Sequence, residues 1–165
     1  MTTVFLGGGC GTNGAVSTWR GRIAIPLLEA AGITYYNPQL RPGQWHSGLI
    51  AVEAAAKQEA TYILMVITGD TRGLASIQEA TAIALHHHDN PALRKKLMLV
   101  LDDIPEGTVV DGVTVAGADL KDSNRGRAFL RETISSWRPD LTVYATVEDA
   151  VNAIITDYQG GTSGG

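Results

Sequence analysis

The amino-acid sequence predicts an α/β fold built around a parallel, doubly wound sheet. Apolar runs of strand length alternate with segments of helical periodicity along the 165-residue chain, a pattern typical of consecutive β-α-β units. The clearest run is YILMVITGDTRGLASIQE, residues 62–79, in which a continuous apolar stretch ends in a polar turn and opens a helix. A strand buried on both faces has this continuous apolar character. Five such strands with right-handed crossovers are expected in the flavodoxin-like order 2-1-3-4-5, with helices on both faces.

Each predicted element has a local signal in the sequence. The five strands are apolar runs, and they cover residues 3–7, 33–37, 61–68, 96–101 and 141–145. The five helices have apolar residues at helical spacing, and they cover residues 18–31, 49–58, 74–87, 118–137 and 147–158. Gly32 follows the first helix where glycine commonly ends one, and Pro26 predicts a kink within it. Asp111-Gly112, flanked by valines, predicts a small hairpin within residues 102–117.

Length and composition indicate one soluble domain over residues 1–159, followed by a flexible Gly/Ser tail at residues 160–165. Hydrophobic residues make up 44% of the chain and charged residues 18%, as in ordinary globular proteins. No apolar run approaches the roughly 20 residues that cross a bilayer, so no membrane association is expected. The first residues do not form a secretory signal, and a single cysteine, Cys10, agrees with a reducing compartment. We therefore expect a cytoplasmic protein.

The charge balance favours a small-molecule ligand over a nucleic acid. The formal net charge is −4, whereas a polynucleotide binder needs clustered Lys and Arg. No cofactor is predicted, because a flavin would have only the fold in its favour. The run His86-His87-His88 does not predict a metal site, since neighbouring helical residues point about 100° apart and do not converge on one ion.

Two separate stretches of the sequence are expected at one crevice. In the order 2-1-3-4-5 the topological switch lies between strands one and three, and ligands of open α/β sheets bind there. The loop GGGCGTNG, residues 7–14, is therefore expected opposite the turn at residues 69–73. Its glycines allow close backbone approach to a phosphate or sugar hydroxyl, or else they simply pack tightly. The predicted ligand contacts in this loop are Gly7, Gly8, Gly9, Cys10, Gly11, Thr12 and Asn13.

Several segments together carry a resemblance to a known family. They are VFLGGGCGTN, Trp19-Arg20, ITYYNPQ, Glu53 with Lys57, and ILMVITGDTRGLASIQEA. Over most of the first 90 residues they resemble the nucleoside 2-deoxyribosyltransferase-like proteins. In that family a glutamate on the helix after an acidic, glycine-bearing turn attacks the anomeric carbon of the sugar, and Glu79 matches it. Glu53 matches a second family acid, which contacts the nucleobase.

The resemblance implies an N-glycosyl-bond enzyme, a deoxyribosyltransferase or an N-glycosidase, that acts on a nucleoside or nucleotide with Glu79 as nucleophile. Cleavage of that bond builds oxocarbenium character at the sugar, which a carboxylate can stabilise or capture as an ester. The departing base needs a proton, for which Asp70 and Glu53 are the candidate acids. Related enzymes complete their sites with neighbouring subunits, so a homo-oligomer is also implied. A non-catalytic nucleotide or nucleotide-sugar binding module is the alternative.

The first strand departs from the family pattern. The family has a tyrosine whose hydroxyl bonds the nucleophile, and this chain has Phe5 at that place. Tyr35 or Tyr36 would have to supply the missing hydroxyl. Successive strand residues point to opposite faces, so at most one of the two, taken here as Tyr36, faces the crevice. The turn also differs, with Arg72 before the Gly-Leu step where the family has an acid.

Further candidate contacts each have a structural alternative. Arg20 and Arg72 could meet a substrate phosphate or form surface ion pairs, and Arg72 could also pair with Asp70. Trp45, on the long loop of residues 38–47, could stack on a base or pack in a core. The remaining predicted substrate contacts are Trp19, Tyr36 and Gly73.

Two helices carry charged residues whose ordinary place is the solvated surface. Glu53 and Lys57 are an i,i+4 pair, which stabilises a helix by only about 0.2–0.5 kcal/mol. Arg125, Arg127 and Arg131 are expected on a solvated face among acids. Of these residues, only Glu53 also has a functional interpretation, through the resemblance.

Overall fold

The central sheet has the predicted topology. The computed structural model describes residues 2–9, 17–40, 44, 46–89 and 95–162, of which residues 87–89 and 162 are described by their backbone alone. Its strands are, in chain order, β1 (Val4–Gly8), β2 (Tyr35–Tyr36), β3 (Tyr62–Ile67), β4 (Lys96–Leu101), β5 (Val109–Val110), β6 (Val113–Thr114) and β7 (Val143–Tyr144). Five of them form an all-parallel sheet in the order β2-β1-β3-β4-β7. The predicted fold class and strand order are therefore confirmed, with β7 as the fifth strand.

Helices cover both faces of this sheet. They are a π-helical turn (Arg20–Ala24) that continues into α1 (Ile25–Ala30), followed by α2 (Gly48–Glu59), α3 (Leu74–Asp89), α4 (Gly117–Trp137) and α5 (Val147–Thr162). The segment of the π-helical turn and α1 packs with α5 on one face, and α2, α3 and α4 pack on the other. Within the described ranges, no helix is long and apolar enough to span a membrane.

Strand β3 shows why its sequence is a continuous apolar run. All six of its residues are buried. Tyr62, Leu64 and Val66 pack with α1 and α5, and Ile63, Met65 and Ile67 pack with α2, α3 and α4. Because side chains alternate across a strand, a sheet covered on both sides needs apolar residues at every position. This central strand brings the turn after residue 67 to the carboxyl edge of the sheet.

Pro26 lies where the first helix changes its winding. The backbone N–H of Ile25 bonds the carbonyl of Arg20, which is the i→i+5 spacing of a π-helix. Proline has no backbone N–H and cannot make the α-helical bond to Arg22, so the turn before it is free to widen. The predicted irregularity at Pro26 therefore takes the form of a π-helical turn, after which α1 begins with proline in its first turn.

The second half of the chain agrees with the prediction except in the length of β7 and at the end of α5. The predicted hairpin is confirmed as β5 and β6, and Asp111 and Gly112 have φ values of 51° and 78°, as a tight hairpin turn requires. Edge strand β7 is shorter than predicted. Helix α5 continues through Gly160 and Gly161, which the sequence analysis assigned to a flexible tail. A formed helix gains one hydrogen bond per added residue, which offsets the roughly 1 kcal/mol cost of a glycine; residues 163–165 lie outside the described residues.

Candidate active site

Two of the predicted catalytic residues meet in one cavity. The cavity has a volume of about 110 Å³ and lies beside the carboxyl end of β1. Its lining consists of Phe5, Gly7, Gly8, Arg20, Pro38, Gln39, Glu53 and Glu79. Glu53 comes from α2 and Glu79 from α3, so side chains 26 positions apart (79 − 53) share one site. Gly7 and Gly8 of the glycine loop line this cavity as expected, but no residue of the turn at residues 69–73, which was expected on the opposite side, lines it.

A wider cavity of about 550 Å³ lies beside the amino end of β4. Four of its charged side chains form two ion pairs, Lys96 with Asp157 at 2.5 Å and Arg138 with Asp140 at 2.6 Å, and Lys95 donates to backbone carbonyls. It is lined by none of the predicted site residues. The smaller cavity is lined by two of the predicted catalytic residues, Glu53 and Glu79. It is therefore the better candidate for an active site.

Lys57 joins the two glutamates. Its Nζ atom lies 2.8 Å from Oε1 of Glu53 and also donates a hydrogen bond to Oε1 of Glu79. The Lys57 side chain is 25% exposed, against 39% for Glu53 and 34% for Glu79. The i,i+4 pair on α2 is thus turned towards α3 and partly shielded from solvent, and it is not the solvated pair that its spacing alone indicates.

The ammonium of Lys57 is held in its charged form. Burial, the largest single effect, lowers the pKa of Lys57, but the hydrogen bonds and charges of Glu53 and Glu79 raise that pKa by more, and the net pKa lies above the ordinary value. The ammonium also lies 5.0 Å from the ring centroid of Phe5, close enough for a cation–π interaction. Lys57 therefore donates hydrogen bonds to both carboxylates at neutral pH.

The two tyrosines of β2 point to opposite faces of the sheet, as predicted. Tyr36 stacks on Phe5, with ring centroids 5.7 Å apart and planes 13° apart. The hydroxyl of Tyr35 donates to Oε1 of Glu29 at 2.8 Å. Among the described residues, neither tyrosine hydroxyl bonds Glu79, and Lys57 donates to that carboxylate instead.

Arg20 is buried and does not form the surface ion pair that was one of its two predicted roles. Its side chain is 1% exposed. Its guanidinium bonds the carbonyl of Leu6 twice at 3.1 Å, the carbonyls of Gly8 at 3.2 Å and Gly9 at 3.4 Å, and the hydroxyl of Ser17. These bonds use the five N–H donors that an arginine has. Arg20 lines the cavity, but its role there is to hold the end of β1 in place.

Trp19 belongs to the core and not to the cavity lining. It is 5% exposed and packs with the residues between the sheet and α5. The guanidinium carbon of Arg20 lies 4.3 Å from the centre of its ring. Trp19 therefore packs against Arg20 on the core side of the guanidinium, and the structure does not place it at the cavity as a substrate contact.

Glycines at the end of β1 are required for close packing. Gly8 has a φ of +126°, and a Cβ atom there would lie 2.0 Å from the carbonyl oxygen of Val66. A Cβ atom on Gly9 would lie 2.8 Å from Oγ1 of Thr71. Gly7 and Gly8 also line the cavity. The two predicted reasons for glycine here, close packing and room for a ligand, are therefore compatible. The other nominated loop residues, Cys10, Gly11, Thr12, Asn13 and Trp45, lie outside the described residues.

The turn between β3 and α3 directs its polar side chains away from Glu79. The exposed Asp70 accepts a hydrogen bond from the hydroxyl of Thr68 and lines a separate shallow recess with Asp102. Arg72 pairs with Asp119 of α4 at 2.7 Å, and not with Asp70. Of the two candidate acids, the structure therefore brings Glu53 to the nucleophile candidate, whereas Asp70 lines a different recess.

Gly73 is a glycine because of its backbone conformation and its close packing. Its φ is +60°, and a Cβ atom there would lie 2.8 Å from Cγ2 of Ile67. The residue starts α3, since the N–H of Ile77 bonds its carbonyl at 2.8 Å. Gly73 thus allows the sharp entry that aims α3, and with it Glu79, at the cavity.

Arg127 holds this turn, which corrects its predicted place on a solvated face. It is fully buried in α4 and donates to the carbonyls of Thr68 at 3.2 Å, Thr71 at 2.6 Å, Arg72 at 3.1 Å and Asp102 at 2.8 Å. Burial lowers the pKa of the guanidinium. The carbonyls of Thr68, Thr71 and Arg72 belong to the turn and that of Asp102 follows β4, so Arg127 joins the turn to the end of the neighbouring strand. Nothing in the local sequence distinguishes Arg127 from the exposed Arg125.

Sequence reasoning missed two other residues of the lining, Pro38 and Gln39. Gln39 accepts a hydrogen bond from the Ser17 hydroxyl at 3.1 Å, which links the segment after β2 to the residue that Arg20 also bonds. Both residues lie in the segment ITYYNPQ, which is one of the segments that carry the family resemblance and could have pointed to them.

The fold and the cavity define a doubly wound α/β protein with two carboxylates at the switch between β1 and β3. The family described as nucleoside 2-deoxyribosyltransferase like matches residues 1–96. This match covers more than half of the chain, and the chain belongs to that family. The matched residues contain Glu53, Lys57 and Glu79. A search among curated proteins found no match.

Proposed function

We propose that this protein is an N-glycosyl-bond enzyme that acts on a nucleoside or nucleotide, with Glu79 as the nucleophile. The observation that carries the proposal is the placement of Glu79 and Glu53 in one cavity at the switch of the sheet, with Lys57 between them. Membership of the nucleoside 2-deoxyribosyltransferase-like family supports a nucleoside as substrate.

The proposed reaction has two displacement steps. A carboxylate oxygen of Glu79 attacks the anomeric carbon, a carbon–oxygen bond forms, and the bond to the base nitrogen breaks. The electron pair of that bond leaves with the base, which takes up one proton. In the second step water or an acceptor base attacks the same carbon, gives up one proton to the proton-transfer group, and releases the carboxylate of Glu79. A hydrolase uses water and a deoxyribosyltransferase uses the acceptor base.

Glu53 is the better candidate for handling the proton of the base. It faces the same cavity as Glu79, whereas Asp70 lines the recess beside Asp102. A general acid must lie within hydrogen-bond reach of the atom that it protonates. We therefore propose Glu53 for proton transfer or for contact with the base, and we assign Asp70 to shaping the turn.

The test is a chromatographic screen for release of free base from ribonucleosides, deoxyribonucleosides, their monophosphates and NAD. Each substrate is tested with and without an added acceptor base, on wild-type protein, Glu79→Gln and a matched Glu148→Gln. Glu148 is an exposed helical glutamate far along the chain on α5. Wild type and Glu148→Gln are expected to release or exchange base, and Glu79→Gln is expected to lose roughly 1,000-fold or more.

The same screen separates the two reaction types and assigns the nucleophile. Release without acceptor indicates a hydrolase, and exchange that requires acceptor indicates a transferase. A glycosyl adduct trapped on the peptide that contains Glu79 would place the covalent bond. Turnover that Glu79→Gln retains in full would overturn the assignment of the nucleophile.

A non-catalytic nucleotide or nucleotide-sugar binder is the second candidate. It is favoured by the ion pair that already occupies Oε1 of Glu79. Calorimetric binding of a nucleotide without turnover, unchanged in Glu79→Gln, would establish it. Release of base by the wild type would exclude it.

We also propose that the protein forms a homo-oligomer through α2. This helix buries only Ala56, and Ile50 is 62% and Val52 50% exposed. Leu74, at the start of α3, is 66% exposed. Ile50 and Glu53 lie on the same side of α2, three residues apart, whereas Val52 points to another side. An exposed apolar residue beside the site can belong to an interaction surface, and a subunit seated on the Ile50 side would border Glu53. Light scattering is expected to give a mass above the monomer for wild type and a lower mass for Ile50→Asp; a monomeric wild type would overturn this proposal.

A further inference from the structure

Lys57 is a partly buried charge that the proposed reaction does not yet use. We infer that Lys57 is a positioning residue, which holds one oxygen of Glu79 and leaves the other oxygen free to attack the sugar. The inference rests on the proposed function, because it assigns a task within that reaction. It adds a residue whose side chain does not itself react.

The geometry gives Lys57 a fixed place. Oε1 of Glu79 and Oε1 of Glu53 both accept from its ammonium, and the ring of Phe5 lies on a further side at 5.0 Å. The side chain is thus held by α2, α3 and β1 together. A carboxylate bound through one oxygen presents its second oxygen in a defined direction, which is the requirement for attack on a positioned carbon.

The charges also suit the reaction. Before the attack, Glu53 holds the proton for the base and Glu79 balances Lys57; as the proton leaves, Glu53 is ionised as well, and the resulting net charge of −1 complements the positive character that develops at the sugar. When Glu79 becomes a neutral ester, Lys57 keeps the ionised Glu53 as its partner, so no unpaired ammonium remains beside the two glutamates. The second glutamate therefore stabilises Lys57 at the stage when the first is consumed.

Removal of the ammonium would change how the glutamates titrate. Without Lys57, Glu53 of α2 and Glu79 of α3 would face each other across the cavity as like charges, with Phe5 of β1 uncharged between them. The other charged group of the lining is Arg20 of the π-helical turn, and its donors are all used by carbonyls and the Ser17 hydroxyl. Two neighbouring carboxylates without a cation favour protonation of one of them, and a protonated Glu79 does not attack.

The kinetic test compares Lys57→Met, Lys57→Arg and the matched control Lys121→Met, whose lysine is exposed on α4. Over pH 5–9, Lys57→Met is expected to lower kcat about 10- to 100-fold with KM changed less than about twofold. The acid limb of its kcat profile is expected to move to higher pH. Lys57→Arg is expected to recover part of kcat, and Lys121→Met to match wild type. An unchanged kcat and an unchanged acid limb in Lys57→Met would overturn the inference.

A second measurement needs no turnover and separates this inference from the proposed function. The carboxyl carbons of Glu53 and Glu79, assigned with the variants Glu53→Gln and Glu79→Gln, are titrated by NMR in wild type and in Lys57→Met. One glutamate is expected to titrate at higher pH in Lys57→Met. If the wild type shows no turnover but this change occurs, the proposed function fails and the pairing role of Lys57 stands. If the titrations coincide, the inference fails, whatever the activity. Lys57→Gln replaces Lys57→Met if the latter does not fold.

Discussion

Replacement of Arg127 by methionine tests whether a buried guanidinium holds the turn in front of the candidate site. Arg127 is fully buried, and a methionine of similar length keeps most of its packing while it removes the charge and the donors. The substitution leaves four carbonyls outside α4 without their donor, those of Thr68, Thr71, Arg72 and Asp102.

The magnitude follows from two opposing contributions. Each buried carbonyl that loses its partner costs about 1–3 kcal/mol, so four of them cost at least about 4 kcal/mol. Removal of a buried charge offsets part of this cost, because desolvation of an ion is itself unfavourable by several kcal/mol. Thr68 and Arg72 are only partly buried and Asp102 is exposed, so the carbonyls of these three residues can regain water and only that of Thr71 stays dry. The expected net loss in the free energy of unfolding is about 2–4 kcal/mol.

The assay is urea unfolding at neutral pH, with Arg125→Met as the matched control. Arg125 lies on the same helix, is 64% exposed and makes a long ion pair of 3.5 Å with Asp122, so its replacement is expected to change the free energy of unfolding by less than about 0.5 kcal/mol. Base release is expected to fall more in Arg127→Met than in Arg125→Met, since the turn aims α3. Equal stabilities of the two variants would refute the reasoning.

Two further substitutions test the packing of β1 and the docking of α5. Gly8→Ala places a Cβ atom 2.0 Å from a main-chain oxygen of β3 at a φ of +126°, and it is expected to lower the free energy of unfolding in urea by about 3 kcal/mol or more. The control is Gly21→Ala, whose Cβ atom meets nothing within 4 Å and which is expected to be neutral or stabilising. A similar loss of stability in both variants would contradict the argument. The hydrogen bond from Lys96, and then that from Tyr62, lower the pKa of Asp157, so its contribution is present above the unfolded-state pKa and is lost as pH falls through the lower folded-state pKa. Wild type is therefore expected to lose more stability than Asp157→Asn between pH 4 and the acid limit of folding, and parallel pH curves would exclude the linkage.

The fold could be predicted because its signals are local. Strand β4 has the predicted bounds, since a run of apolar residues there is limited by polar residues on both sides. The hairpin turn at Asp111 and Gly112 follows from residue types that tolerate positive φ. Predictions were less accurate at β7 and at the end of α5, where neighbouring elements decide how far a strand or helix extends.

The candidate site could be predicted only in part. Glu53 and Glu79 were nominated through a resemblance that the family match supports, and the structure places both in one cavity. Asp70 was nominated by the same turn, yet its side chain lines another recess. A position in a turn does not specify a direction, because that depends on which element packs beneath the turn.

The sequence by itself determined the order of strands and helices, the parallel sheet and the edge at which Glu79 lies, because apolar periodicity and turn residues act over a few neighbouring positions. Only the tertiary structure decided that Lys57 bridges two glutamates and that Arg20 and Arg127 are buried. These side chains find their partners on elements that are distant in the chain. The need of buried carbonyls and carboxylates for donors arises once those elements have packed together, and no local pattern records it.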